Sequence, residues 1–101
     1  MGLFGSKKDK KTVKITDVFS PEEIKEISDV IGPKLKSGEY KALPQTLAKG
    51  LMDYISRPEK EYGVNKIKGV AKIAKSLTEI EPSLAPTLQK GIDRIFRLSN
   101  E

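Results

Sequence analysis

Phe19-Ser20-Pro21-Glu22-Glu23-Ile24 is the stretch that decides the fold, because it carries a complete helix-start signal. The Ser20 hydroxyl can accept a hydrogen bond from a free backbone N–H of the first turn, and Glu23 completes a capping box. Pro21 suits the first helical position, where its missing N–H is not needed. Phe19 and Ile24 are spaced as a hydrophobic staple across this cap. We therefore predict a helix that begins at Pro21.

Downstream of this cap, apolar residues recur at helical spacing in four segments, which predict helices over about residues 21–37, 43–57, 64–80 and 82–98. Gly32-Pro33 either kinks the first helix or ends it at Ile31, and the kink is favoured because Leu35 keeps the register. The predicted fold is all-α: a small four-helix domain, either an antiparallel bundle or two stacked helical hairpins. The residues expected to face the core are Ile24, Ile27, Ile31, Leu35, Leu43, Leu47, Leu51, Ile55, Val64, Ile67, Val70, Ala71, Ala74, Leu77, Leu84, Leu88, Ile92, Ile95 and Phe96.

An internal similarity links residues 43–55 to residues 84–96 at an offset of 41. It indicates either a duplicated helical hairpin or two amphipathic helices that share a common pattern. Gly50 and Gly91 occupy equivalent positions, and glycine inside a helix costs about 1 kcal/mol relative to alanine. We therefore expect a close helix–helix approach at both glycines.

The positive charge of the chain is concentrated near its start. The protein has 19 basic and 14 acidic residues and a net charge of +5, and residues 1–18 hold five lysines against two aspartates, a net +3. We predict that residues 1–18 form a basic, largely flexible N-terminal arm and that residues 19–101 form a single helical domain. Val13 and Ile15 alternate with polar residues, which suits a short extended piece lying on the body. The arm residues expected to contact an anionic partner are Lys7, Lys8, Lys10, Lys11 and Lys14.

Two rows of cations follow the helical period in the body. The first row is Lys68, Lys72 and Lys75, with Lys66 beside it, and the second is Lys90, Arg94 and Arg97. Such rows either follow a phosphate backbone or are solvated faces of amphipathic helices. Nonspecific nucleic-acid binding is therefore an alternative function. The three tyrosines are too few to favour single-strand recognition by stacking. A sequence-reading helix-turn-helix is disfavoured, since Pro86 would lie inside its recognition helix.

The first six residues, Met-Gly-Leu-Phe-Gly-Ser, satisfy the N-myristoylation pattern, and lysines follow at once. In layout this resembles a retroviral matrix domain, in which a myristoylated glycine and a basic patch precede an all-helical body. The resemblance implies a peripheral protein held at an acidic membrane surface through its N-terminus. It covers the first six residues and the architecture, and it is a second alternative function.

The residues that are missing exclude several classes of protein. The chain has no His and no Cys, which excludes Cys/His zinc sites, disulfides and Ser-His catalysis. No phosphate-binding loop or cluster of metal-ligating carboxylates occurs, so we predict no catalytic residue, no metal, no cofactor and no small-molecule substrate. The longest run without a charged residue has eight residues, and the secretory pattern is missing, which together predict a soluble cytoplasmic protein. The predicted function is a non-enzymatic interaction or structural module that binds a protein partner or self-associates.

Overall fold

Helices make up most of residues 12–100, the part of the chain that the computed structural model describes. The all-α prediction is confirmed, and the four predicted helices are the four long ones. A short two-stranded ribbon, one four-residue helix and a 3-10 turn complete the fold. In chain order the elements are β1 (Thr12–Lys14), α1 (Ile15–Val18), α2 (Pro21–Ser37), α3 (Leu43–Ile55), β2 (Glu61–Gly63), α4 (Val64–Ile80), the 3-10 turn (Pro82–Leu84) and α5 (Ala85–Asn100).

Helix α2 begins and ends as its local signals predict. The Glu23 backbone N–H donates to Ser20 Oγ at 3.2 Å, and the Ser20 N–H donates to Glu23 Oε1 at 2.8 Å, which is the predicted capping box. The helix continues through Pro33, so it does not end at Ile31. It stops at Gly38, whose φ of 78° lies in the left-handed region that glycine adopts without strain.

Two helix boundaries differ from the predicted ones, and a proline lies close to each of them. Helix α3 ends at Ile55 rather than at residue 57, because Pro58 disfavours helical geometry in the residue before it. The last helix does not begin at Pro82: a 3-10 turn comes first, and α5 starts at Ala85. Pro86 is then the second residue of α5, where the first-turn N–H has no intrahelical partner to lose.

Residues 12–18, placed in the arm on sequence grounds, lie in the folded body. Strand β1 pairs antiparallel with β2, with Val13 opposite Tyr62, and the Thr12 hydroxyl donates to Glu61 Oε1 at 2.8 Å. Val13, Ile15 and Val18 are buried. The extended piece is held there because β2 satisfies its backbone groups while its apolar side chains join the core.

The core is formed mainly where α4 packs between α3 and α5. Most of the predicted inward positions are buried, including Ile27, Leu51 and Leu77, but two large side chains are exposed. Leu43 is 65% exposed, because the buried face of α3 lies roughly 110° around the helix from it at 100° per residue. Phe96 is 57% exposed, because its neighbour Ile95 takes the core position.

Gly91 allows a close approach, but not of two helices. A Cβ at residue 91 would lie 2.2 Å from Cε1 of Phe19, so the fully buried ring rests directly on the backbone of α5. A Cβ at Gly50 would meet Ile73 Cδ1 at 3.5 Å, an ordinary contact. The prediction of a close helix–helix approach at both glycines was therefore wrong. At Gly91 the close contact is with the Phe19 ring, which lies in a loop, and at Gly50 the contact between the helices has an ordinary distance.

The similar segments 43–55 and 84–96 differ in which of their end residues are buried. Leu43 is exposed, whereas its equivalent Leu84 is 1% exposed. Ile55 is buried, whereas its equivalent is the exposed Phe96. The two segments therefore share an amphipathic pattern but expose different positions.

The entry into α3 is strained. Ala42, the residue before this helix, has φ 57° and ψ −131°, and among residues 12–100 it alone combines a side chain with a positive φ. This conformation is ordinarily adopted by glycine.

Candidate functional site

A groove of about 390 Å³ runs between α4 and α5 on the surface. Its floor is apolar and is formed by the buried residues Ala71 and Ile92, and the exposed ring of Phe96 stands on one side. The polar residues that line it are Lys68, Lys72, Lys75 and Gln89. The groove therefore combines an apolar floor, an aromatic side chain and a cationic rim. We call Lys68, Lys72 and Lys75 the lysine row.

The helical period brings the lysine row together. At 100° per residue the three lysines fall within an arc of roughly 60° on α4, and Ala71 lies beside this arc toward the core. Helices α4 and α5 are joined by a short connection and run antiparallel. The Phe96 end of the groove is therefore the Lys68 end, and Gln89 lies near Lys75.

The lysine row is exposed and carries uncompensated charge. Within residues 12–100, no carboxylate forms an ion pair with any of the three lysines. Other lysines do have partners: Lys25 pairs with Asp29 at 2.8 Å, and Lys34 pairs with Glu81 at 2.6 Å. The charges at the groove are thus available to an incoming anion.

Lys66, predicted to lie beside this row, does not do so. It is exposed, but it lies about 160° around α4 from Lys68 and does not line the groove. Sequence proximity placed the two lysines side by side, whereas residues two apart on a helix point in nearly opposite directions.

The second predicted row, Lys90, Arg94 and Arg97, is on the opposite side of α5 from the groove, and its central member serves the fold. Arg94 Nη1 donates to the backbone oxygen of Val18 at 2.8 Å and to Glu23 Oε1 at 2.5 Å. The hydrogen bond from Arg94 holds the pKa of the Glu23 carboxyl below its usual range. Arg94 therefore joins α5 to the capping box of α2 and is not free to bind a partner.

The remaining predicted contacts are dispersed. Lys90 and Arg97 are exposed, and Arg97 lines a smaller cavity of about 210 Å³ together with Asp17. Lys14 Nζ lies 3.6 Å from Glu59 Oε1. The other arm residues, Lys7, Lys8, Lys10 and Lys11, and the candidate acylation site Gly2, lie outside the described residues, and their roles stay predictions.

One buried polar cluster was not expected from the sequence. Glu81 Oε2 accepts hydrogen bonds from Lys34 Nζ at 2.6 Å and from the Tyr40 hydroxyl at 2.7 Å. Burial alone raises the pKa of the Glu81 carboxyl, but the two hydrogen bonds outweigh it and the pKa lies below the usual value. Burial also raises the pKa of Tyr40, and the hydrogen bond to Glu81 adds to this effect. The cluster fastens the end of α2 to the α4–α5 connection.

The described residues contain no group of three or more Asp or Glu side chains placed to hold a metal ion. No helix among residues 12–100 has the length and apolar character needed to cross a membrane. Comparison of the chain with protein-family models, with curated proteins and with solved structures finds no match in any of the three. The groove is therefore the feature on which a functional argument rests.

Proposed function

We propose that this protein is a non-enzymatic interaction module that binds an anionic partner in the groove between α4 and α5. The observation that carries the proposal is the lysine row, uncompensated within residues 12–100, beside a 57% exposed Phe96 and an apolar floor. Fixed positive charge attracts and orients an anionic partner. An aromatic side chain beside an apolar depression is a typical anchor of a protein interface.

The same residues bear on the choice between a protein partner and nucleic acid. Phosphate contacts require only the lysines, whereas binding of apolar side chains also uses the Phe96 surface. The lysine row is on α4, whereas the second cationic row is on the side of α5 that faces away from the groove, so the two rows do not form one continuous track for a duplex. Nonspecific nucleic-acid binding is therefore the second candidate, supported by the lysine row alone.

A titration of the full chain with two probes tests the proposal. One probe is a short helical peptide of glutamate and leucine residues, and the other is a duplex DNA of about 20 base pairs. We expect the peptide to shift backbone NMR signals along the groove, with an affinity that falls as salt is raised. The triple variant K68E/K72E/K75E should weaken binding at least about tenfold, which corresponds to about 1.4 kcal/mol.

A matched variant separates local from overall charge. K41E/K49E/K66E changes the same number of exposed lysines, all away from the groove, and should bind the peptide as the wild type does. Equal loss in both variants would show an effect of net charge only and would contradict the proposal. Phe96→Ser should weaken the peptide more than the DNA; tight DNA binding that depends on the lysine row but not on Phe96 would support the nucleic-acid candidate.

Attachment to an acidic membrane through the N-terminus stays a separate proposal, because residues 1–11 lie outside the described part. The intact mass of the protein from its native host is the direct measurement. A mass without an acyl group, together with no binding to vesicles that contain anionic lipid, would end it.

A further inference from the structure

An acidic row on α2 has the same spacing as the lysine row on α4. Glu22, Glu26 and Asp29 are four and three residues apart, as are Lys68, Lys72 and Lys75. All six side chains are exposed. At 1.5 Å per residue each row is about 10 Å long and occupies one narrow face of its helix. We call Glu22, Glu26 and Asp29 the acidic row.

The helix dipole does not account for the whole acidic row. A carboxylate in the first turn is stabilised by the positive end of the helix, which explains Glu22, but the effect fades beyond that turn. Glu26 and Asp29 lie further along α2. Asp29 pairs with Lys25 of its own helix at 2.8 Å, and both side chains of this pair are exposed. Because an exposed ion pair contributes little free energy, Asp29 can replace Lys25 with a lysine of another molecule at little cost in free energy.

The two rows do not meet within one molecule. No ion pair among residues 12–100 joins the acidic row to the lysine row. Helix α2 packs against α3, while the groove lies between α4 and α5. Complementary charges on separate faces of one chain can pair only between two copies.

We infer that the groove binds the outer face of α2 from a second copy of this chain. The inference rests on the proposed function and names its anionic partner. The apolar face of α2, with Ile27 and Ile31, is buried in its own molecule, so the outer face offers charge, and the contact is made by complementary charges. Each lysine then faces one carboxylate of the second copy, since both rows rise equally along their helices.

A parallel arrangement of the bound α2 and α4 keeps the two rows in register, because each row is spaced four and then three residues from its N-terminal end. Glu22 of the second copy then faces Lys68, Glu26 faces Lys72 and Asp29 faces Lys75.

The contact is between two different faces, so each copy keeps one free face after the first contact forms. Such heterologous contacts continue into open chains unless the rotation closes a ring. We therefore expect the average mass to rise with concentration beyond that of a dimer. The contact is electrostatic and small, so raised salt should reduce the association.

The experiment is sedimentation of the full chain at low and high salt over a wide concentration range, with a charge exchange between the rows. K68E/K72E/K75E alone and E22K/E26K/D29K alone should each remain monomeric, because each variant opposes like charges. The sixfold variant with both rows reversed should associate again, as should a mixture of the two triple variants. K41E/K49E/K66E should associate as the wild type does, and circular dichroism should show that every variant is folded.

A wild-type protein that stays monomeric at the highest concentration and low salt would overturn the inference. Association that survives reversal of one row, or that the sixfold variant fails to restore, would also overturn it. A monomer that still binds the glutamate–leucine peptide through the lysine row would leave the proposed function standing without this partner. The proposed function itself fails only if neither the peptide nor a second copy binds in a manner that depends on the lysine row.

Discussion

Replacing Gly91 with alanine tests the closest packing in the structure. The new Cβ would lie 2.2 Å from Cε1 and 2.5 Å from Cζ of Phe19, whereas carbon atoms in contact are ordinarily about 3.5–4.0 Å apart. The ring is fully buried, so it has no free space to enter. Overpacking of this kind costs about 1–3 kcal/mol, and alanine returns about 1 kcal/mol through its helix propensity. We expect the free energy of unfolding to fall by up to about 2 kcal/mol.

Gly50→Ala is the matched control, because it places the same methyl group inside α3 at an ordinary distance of 3.5 Å from Ile73 Cδ1. It should raise the free energy of unfolding by about 1 kcal/mol. Since both variants gain the same helix propensity, the difference between them, about 1–3 kcal/mol, isolates the clash at residue 91.

Urea denaturation followed by circular dichroism measures both variants, and each kcal/mol should also move the melting temperature by about 4–8 °C. Two variants within about 0.5 kcal/mol of each other would refute the packing of the ring on α5. In a Phe19→Leu background the cost of Gly91→Ala should shrink, because the two positions are in contact and their effects are not additive.

Three further variants test other features by the same denaturation assay. Arg94→Ala removes the hydrogen bonds to Glu23 and to the chain before α2 and should cost about 2 kcal/mol, whereas Arg97→Ala should change stability by less than about 0.5 kcal/mol. Burial raises the pKa of Glu81, but its two hydrogen bonds lower the pKa by more, so the net shift is downward. The stability that the Glu81 carboxylate contributes is therefore present above the ordinary glutamate pKa of about 4.3 and is lost as the pH falls through the lowered value. Glu81→Gln should therefore be less stable near neutral pH and lose less stability in acid than the wild type; an equal acid loss in both would contradict this. Ala42→Gly should gain about 1 kcal/mol by relieving the positive φ, and a loss would show that the residue is unstrained.

Local signals made α2 predictable. Its cap depends on Ser20 and Glu23, three residues apart, and its end depends on Gly38, so all the information lies within one helix. The core of α4 was likewise readable, because Ile67, Val70 and Leu77 follow a single period. Where partners are close in sequence, propensity and capping geometry decide the structure without help from the rest of the chain.

Long-range partners could not be read from one sequence. Strands β1 and β2 have three residues each, and Val13 of β1 pairs with Tyr62 of β2, 49 positions further along the chain. Arg94 looked like one member of a cation row, whereas its Glu23 partner lies 71 residues away. Neither segment carries a signal that names the other, so a residue that fastens the fold resembled a surface charge.

The sequence predicts the cationic side of the groove but not its aromatic side. The helical period identified the lysine row, since Lys68, Lys72 and Lys75 share a face of α4. It did not identify the aromatic side of the groove, because Ile95 and Phe96 are adjacent, equally apolar and compete for one inward position. Only the packing of α5 against its neighbours decides that the smaller side chain enters the core.

The contact between Phe19 and Gly91 also determines when the fold can be completed during protein synthesis. The ring leaves the ribosome early, but the helix that covers it is among the last parts of the described chain to be made. Strand β1 likewise has no pairing partner until the strand that contains Tyr62 has been synthesised, because Val13 pairs with Tyr62. Until then the apolar residues from Val13 to Phe19 lack the neighbours that bury them in the folded protein. The beginning and the end of this small domain depend on each other for burial, so we expect them to unfold together in one cooperative transition.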